Sequence, residues 1–128
     1  MHIKHHSKRK QGFTLVEIVV VVGIIGLLAT IAICNMMIAR DSSRLKTIQR
    51  NLTTVESAKE QWALETHKNT GAIVADVSVL QDYFHSGTIA LVVQETYVPN
   101  PIGDRAVAVL PVDAKVGPYA PGSSIPAP

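Results

Sequence analysis

Glu17 is the only acidic side chain between Phe13 and Ala39, a run whose other polar side chains are Thr14, Thr30 and Asn35, with Cys34 a weak one. A carboxylate in hydrocarbon costs about 2.5–3.5 kcal/mol at a bilayer centre on insertion scales. A charge kept at that cost calls for a cationic partner or a place at the membrane edge. Little else in the chain could do chemistry. His67 and His85 have no convincing partners, and Asp82, Glu95, Asp104 and Asp113 are scattered, unlike the dense acidic cluster of a calcium loop. No Cys/His set has metal spacing, and there is no Gly-rich phosphate loop. No catalytic residue, metal site or cofactor is therefore expected, and the chain reads as a non-enzyme. Cys34, the single cysteine, excludes an internal disulfide and reads as a small apolar filler.

The element that must position Glu17 is a membrane helix. Residues 18–34, IVVVVGIIGLLATIAIC, continue with few interruptions in both directions. About 20 apolar residues span a bilayer core of about 30 Å, and this run is too long for a buried strand. The formal charge of +2 divides unevenly around it. Lys4, Lys8, Arg9 and Lys10 precede the run with no acid among them, and residues 13–128 carry eight basic and ten acidic side chains. The basic balance thus belongs to a leader, so no nucleic-acid partner is expected. Lys/Arg before the span keeps that end cytoplasmic and exports the rest. A cleaved secretory signal fits less well, because its core is about 7–15 residues and ends at a small-x-small site. A lipoprotein signal at Cys34 would follow the bulky Ile33. Neither accounts for Glu17.

Gly12-Phe13-Thr14-Leu15-Val16-Glu17, after a basic leader and before an apolar helix, closely resembles the type IV pilin and type II secretion pseudopilin family. The resemblance implies cleavage between Gly12 and Phe13 by a membrane-embedded prepilin peptidase and N-methylation of Phe13. The helix would then stay on the mature protein. Cleavage would leave a cationic amine on Phe13, with Glu17 one turn above it. The helix dipole favours a carboxylate there by about 0.3–1 kcal/mol. That hardly offsets burial, whereas the Phe13 amine of a neighbouring subunit would pair the charge directly. The resemblance therefore gives Glu17 the role of registering and recruiting the next subunit; the plain alternative is a carboxylate snorkelling at the cytoplasmic interface. Gly23 and Gly26 share a helix face and permit close helix approach, although glycine is also common in membrane helices. Many relatives have proline about where Cys34 stands, so any local melting here must rely on the glycines.

Beyond the span, Ile38, Leu45, Ile48, Leu52, Val55, Ala58 and Trp62 form one stripe at helical spacing. With no Gly or Pro over residues 27–70, the helix is expected to run from about 14 to 67 and to stop at Asn69-Thr70-Gly71. Residues 57–65, SAKEQWALE, also look similar to this region in a subset of pilin-like proteins. Arg40, Arg44, Lys46 and Arg50 cluster just outside the membrane, to meet lipid phosphates, acids of adjacent subunits or solvent. Asp76 is expected to cap a short helix through about Phe84, with Gly87 after it. Strand-like runs follow at 89–93, 95–98 and 105–110, with Asn100-Pro101-Ile102-Gly103 as a turn. From Pro111 onward, five prolines and two glycines suggest an irregular tail.

The expected fold is α+β and pilin-like, a long N-terminal helix against a small antiparallel head. Its parts are a cleaved leader (1–12), a transmembrane half-helix (13–39), an exported head with the upper helix (40–110) and a Pro/Gly-rich tail (111–128). The expected function is a filament subunit, a type II secretion pseudopilin in the first place and a type IV pilin as the alternative. A single-span membrane protein with a ligand-binding head is a further alternative. The implied partners are copies of the chain, prepilin peptidase, inner-membrane assembly machinery and the lipid bilayer. The implied location is the bacterial inner membrane, single-pass, with a periplasmic or extracellular head.

Overall fold

The computed structural model describes residues 12–85 and 87–128. The expected leader lies outside the described residues apart from Gly12. A single long helix, α1, runs Leu15–Glu65, and the chain divides into one unit ending at Met37 and another of Ile38–Pro128. In the first unit every described side chain is exposed, including Ile18, Val22, Leu27 and Ile31. Fully burying a leucine, isoleucine or valine side chain is worth about 1.5–3 kcal/mol, which this segment does not gain, and it is long and apolar enough to cross a membrane. Thr30 Oγ1 donates to the Gly26 carbonyl at 2.9 Å, which satisfies one of its few hydroxyls within the helix itself.

In the second unit the stripe on α1 meets a three-stranded antiparallel sheet: β1 (Thr96–Val98), β2 (Val107–Val109) and β3 (Ser124–Pro126), in that order. Tyr97, Ala108 and Ile125 stand opposite one another and form a single buried row across the sheet. They share a core with Ile48, Leu52, Val55 and Ala58 of α1 and with Leu80, Leu110 and Val116. Ala108, small and fully buried, leaves room for the helix side chains at the centre of the row.

Three expectations need correction. First, α1 ends at Glu65, within two residues of the expected end, but not through Asn69-Thr70-Gly71: His67 adopts φ 52° and the Lys68 N–H returns to the Ala63 carbonyl at 2.9 Å. That is a Schellman closure with histidine in the left-handed position usually held by glycine. Gly71 (φ 89°) instead serves the next turn, where its N–H reaches the Ile102 carbonyl at 2.7 Å. Second, residues 89–93 are not a strand. The N–H groups of Val92 and Val93, which a ladder would use, donate to the Glu95 carboxylate at 3.1 and 2.8 Å. Third, the tail is not irregular throughout: residues 111–123 form turns and an isolated Val116–Tyr119 bridge, but β3 then covers the edge of β2, and Ile125 and Ala127 alternate inward. The ladder bonds run Ala127 N to Ala106 O and Leu110 N to Ser123 O, both 2.9 Å, so Pro126 turns its missing donor to the free edge.

Other parts stand as read from the sequence. Asp76 caps a 3-10 helix (Val77–Tyr83) by accepting from Val77 N at 2.7 Å, and that bond, with one from Ser78, holds its carboxyl below the usual range. Tyr83 donates to Glu65 at 2.8 Å, tying this helix to the end of α1. The 100–103 turn is present, with Asn100 at φ 53° and its side chain donating to the Arg105 carbonyl at 2.7 Å.

Two polar anchors fix α1 to the head, and both depend on partners distant in sequence. Asn51 donates to the Ala90 carbonyl at 3.0 Å and to Tyr97 Oη at 2.8 Å, and Tyr97 donates to the buried Glu95 at 2.7 Å. Lys59, only 2% exposed, donates to the Asp104 carbonyl at 2.6 Å and pairs with Glu56 at 3.3 Å, while Glu56 accepts the Ala106 N–H.

Candidate assembly site at the start of the helix

Gly12, Phe13 and Thr14 precede α1 outside regular structure, and Phe13 is 86% exposed. Thr14 and Glu17 then close on each other. The Thr14 N–H donates to Glu17 Oε2 at 2.7 Å, Thr14 Oγ1 donates to the same oxygen at 3.0 Å, and the Glu17 N–H returns to Thr14 Oγ1 at 3.3 Å. This reciprocal pair is a capping box, which satisfies two helix-end donors otherwise left bare. The Thr14-x-x-Glu17 spacing is a sequence signal for this capping box. It gives Glu17 a local task worth about 1 kcal/mol, the usual value of a good N-cap. Glu17 Oε1 has no hydrogen-bond partner among the described residues, so half of the carboxylate remains open to a further donor.

The remaining predicted residues lie further along the helix. Gly23 and Gly26 face open space, with nothing within 4 Å of an added Cβ, so packing within one chain does not require glycine at either place. Cys34 is an exposed free thiol and fills no core. Among the described residues no three His, Cys, Asp or Glu side chains come together as a metal site would need.

The comparisons with known proteins bear on this same stretch. Residues 7–33 match the prokaryotic N-terminal methylation motif. The chain is 35% identical over 65 residues to the type IV major pilin protein PilA of Myxococcus xanthus, covering 51% of this chain and 30% of that one. It is 32% identical over 61 residues to the type II secretion system core protein G of Escherichia coli, covering 48% and 42%. The core protein G of Pseudomonas aeruginosa aligns more fully, at 28% identity over 125 residues, 93% of this chain and 80% of that protein. The chain spans about half the length, or less, of the first curated relatives it matches. No solved structure matches. With the methylation motif over residues 7–33 and a long helix packed on a small antiparallel head, this chain is similar to the type IV major pilin and the type II secretion core protein G.

Proposed function

We propose that the chain is a structural subunit of a membrane-anchored helical filament, a type II secretion pseudopilin assembled after prepilin peptidase hydrolyses the Gly12–Phe13 bond. The observation that carries this reading is the junction itself. Gly12 and Phe13 are exposed and non-helical immediately before a capped helix, within reach of a protease that needs extended backbone. Hydrolysis would release the basic residues of the leader and leave an amine on Phe13, the residue proposed to be methylated. Residues 13–39 would remain in the inner membrane, with the N-terminus cytoplasmic and the head periplasmic or, in a filament, extracellular.

On this reading Glu17 has two tasks on its two oxygens. Oε2 closes the cap within its own chain, and Oε1 receives the Phe13 amine of the next subunit. Gly23 and Gly26 would allow neighbouring helices to approach closely. The partners are copies of the chain, prepilin peptidase and the inner-membrane assembly machinery; no catalytic role is assigned. The similarity to core protein G over nearly the whole chain favours the secretion pseudopilus, and the similarity to a PilA over half of it supports the second reading, a type IV pilus.

The test is the mass of the mature N-terminus. A chain that begins at Phe13 with one added methyl group is expected. An intact Met1, or a start near Ile33, would overturn the proposal.

A further inference from the structure

Within the Ile38–Pro128 unit, the first turns of α1 carry a face that no head element covers among the described residues. Ala39, Ser42, Ser43, Lys46, Thr47 and Arg50 recur at helical spacing, are all exposed and line one shallow groove. The opposite face of these turns, Leu45, Ile48 and Leu52, belongs to the core. Asp41 is the only acid from residue 38 to residue 55, and it is engaged by Arg44 at 3.8 Å. Arg40, Lys46 and Arg50 therefore have no acidic partner among the described residues.

We infer that this basic, hydroxyl-lined face is a docking surface for the headgroups of anionic phospholipids at the outer side of the membrane. The inference rests on the reading that residues 13–39 lie in that membrane. Continuity is the first argument: Arg40 directly follows the last residue of the apolar run. Length is the second. Arg40 and Arg50 are ten residues apart, about 15 Å of helix. One leaflet's headgroup layer is about 5–8 Å thick, and charges act over a further ~8 Å at physiological ionic strength. The belt thus fills the zone in which a cation senses lipid phosphate and stops where that zone ends. Chemistry is the third argument. Two of the three cations without an acidic partner, Arg40 and Arg50, are arginines, whose planar fork suits a phosphate diester, and the Ser42 and Ser43 hydroxyls lie between them along the chain to donate.

An acidic face on a second copy is the competing occupant, since residues 52–128 carry eight acidic and four basic side chains. Nothing places such a face at the level of Arg40, whereas a membrane reading brings phosphate there directly. The belt would then hold each stored subunit at a fixed depth, and its release would become part of extraction.

The test uses the full chain reconstituted in phosphatidylcholine vesicles with trace spin-labelled phosphatidylglycerol or spin-labelled phosphatidylcholine. The motionally restricted fraction gives the preference for the anionic lipid. A cation near the surface is worth roughly fivefold in association, so Arg40→Gln/Lys46→Gln/Arg50→Gln is expected to cut that preference roughly fivefold or more. Added salt should have the same effect on the wild type. Replacing Lys4, Lys8, Arg9 and Lys10 by Gln should leave the belt's share in place. Circular dichroism and Trp62 emission should not change in the belt variant, because the three altered side chains are exposed. No wild-type preference, or a preference untouched by the belt variant, overturns the inference. So does a belt variant that keeps its lipid preference and loses self-association, which would assign the face to a second copy. A chain that alkaline washing strips from the vesicles would instead refute the membrane reading beneath it.

Discussion

Replacing Lys59 by Met tests how the head is held to α1. The ammonium is 2% exposed, 2.6 Å from the Asp104 carbonyl and 3.3 Å from Glu56, whose own side chain is 29% exposed. Methionine keeps most of the apolar stem and removes the charge. The loss is then one charge-assisted hydrogen bond, about 1.5–3 kcal/mol, because Glu56 can turn to water and still hold the Ala106 N–H. Alanine removes about three further methylenes from a packed site, adding about 2 kcal/mol at ~0.8 each. Lys59→Ala should therefore cost about 3–5 kcal/mol, the range typical of breaking a buried ion pair. For a domain of ordinary stability that is a large share of the total. Urea unfolding of the full chain in detergent micelles, followed by the emission of Trp62, the single tryptophan, reads both variants. A cycle with Glu56→Gln isolates the pair and should return about 0.5–3 kcal/mol of coupling. A Lys59→Met variant as stable as the wild type would refute the reasoning. It would mean that desolvating the ammonium costs as much as its contacts return.

Glu17→Gln keeps an acceptor for the capping box and removes the charge, while Glu17→Leu removes both. Both variants should insert and be processed, and both should fail to polymerise in a filament assay; assembly by the Gln variant would reduce Glu17 to a cap. Burial opposes the charge of Glu95, but hydrogen bonds from Tyr97, Val93 and Val92 outweigh it and hold its carboxyl below the ordinary 4.5. A depressed carboxylate contributes stability above its unfolded value and loses it as pH falls through the folded one. The head should thus weaken in urea titrations below about pH 4.5, and Glu95→Gln should flatten that dependence while lowering stability at pH 7. Gly103→Ala should cost about 1–3 kcal/mol by thermal melting, because φ is 99° and the new Cβ would stand 2.7 Å from Thr70 Cγ2. Ile125→Ala should cost about 2–5 kcal/mol in the same assay, although Ile125 lies in the stretch that reads as an irregular tail.

What the sequence determined by itself was whatever depends on neighbours along the chain. The apolar run, the stripe at Ile48, Leu52, Val55 and Ala58, the Asp76 cap, the turn at Asn100 and the cores of β1 and β2 are all local patterns. Hydrophobic spacing and turn chemistry reveal such patterns directly. Glu17 stood out because a charge in hydrocarbon is expensive, and its cap was equally local. The tertiary structure decided the rest. Residues 89–93 have the composition of a strand, yet one carboxylate two residues beyond them takes the N–H groups that a ladder would need. The Pro-rich tail has the composition of a loop, but β2 has an open edge, and Ile125 and Ala127 alternate to meet it. Lys59 sits on the apolar stripe, four residues after Val55, where a charge looks solvated until the Asp104 carbonyl, 45 residues away, arrives to accept from it. Partners that close only when distant segments meet leave no periodicity behind, because their free energy depends on the assembled fold and not on the order of residues within any one element.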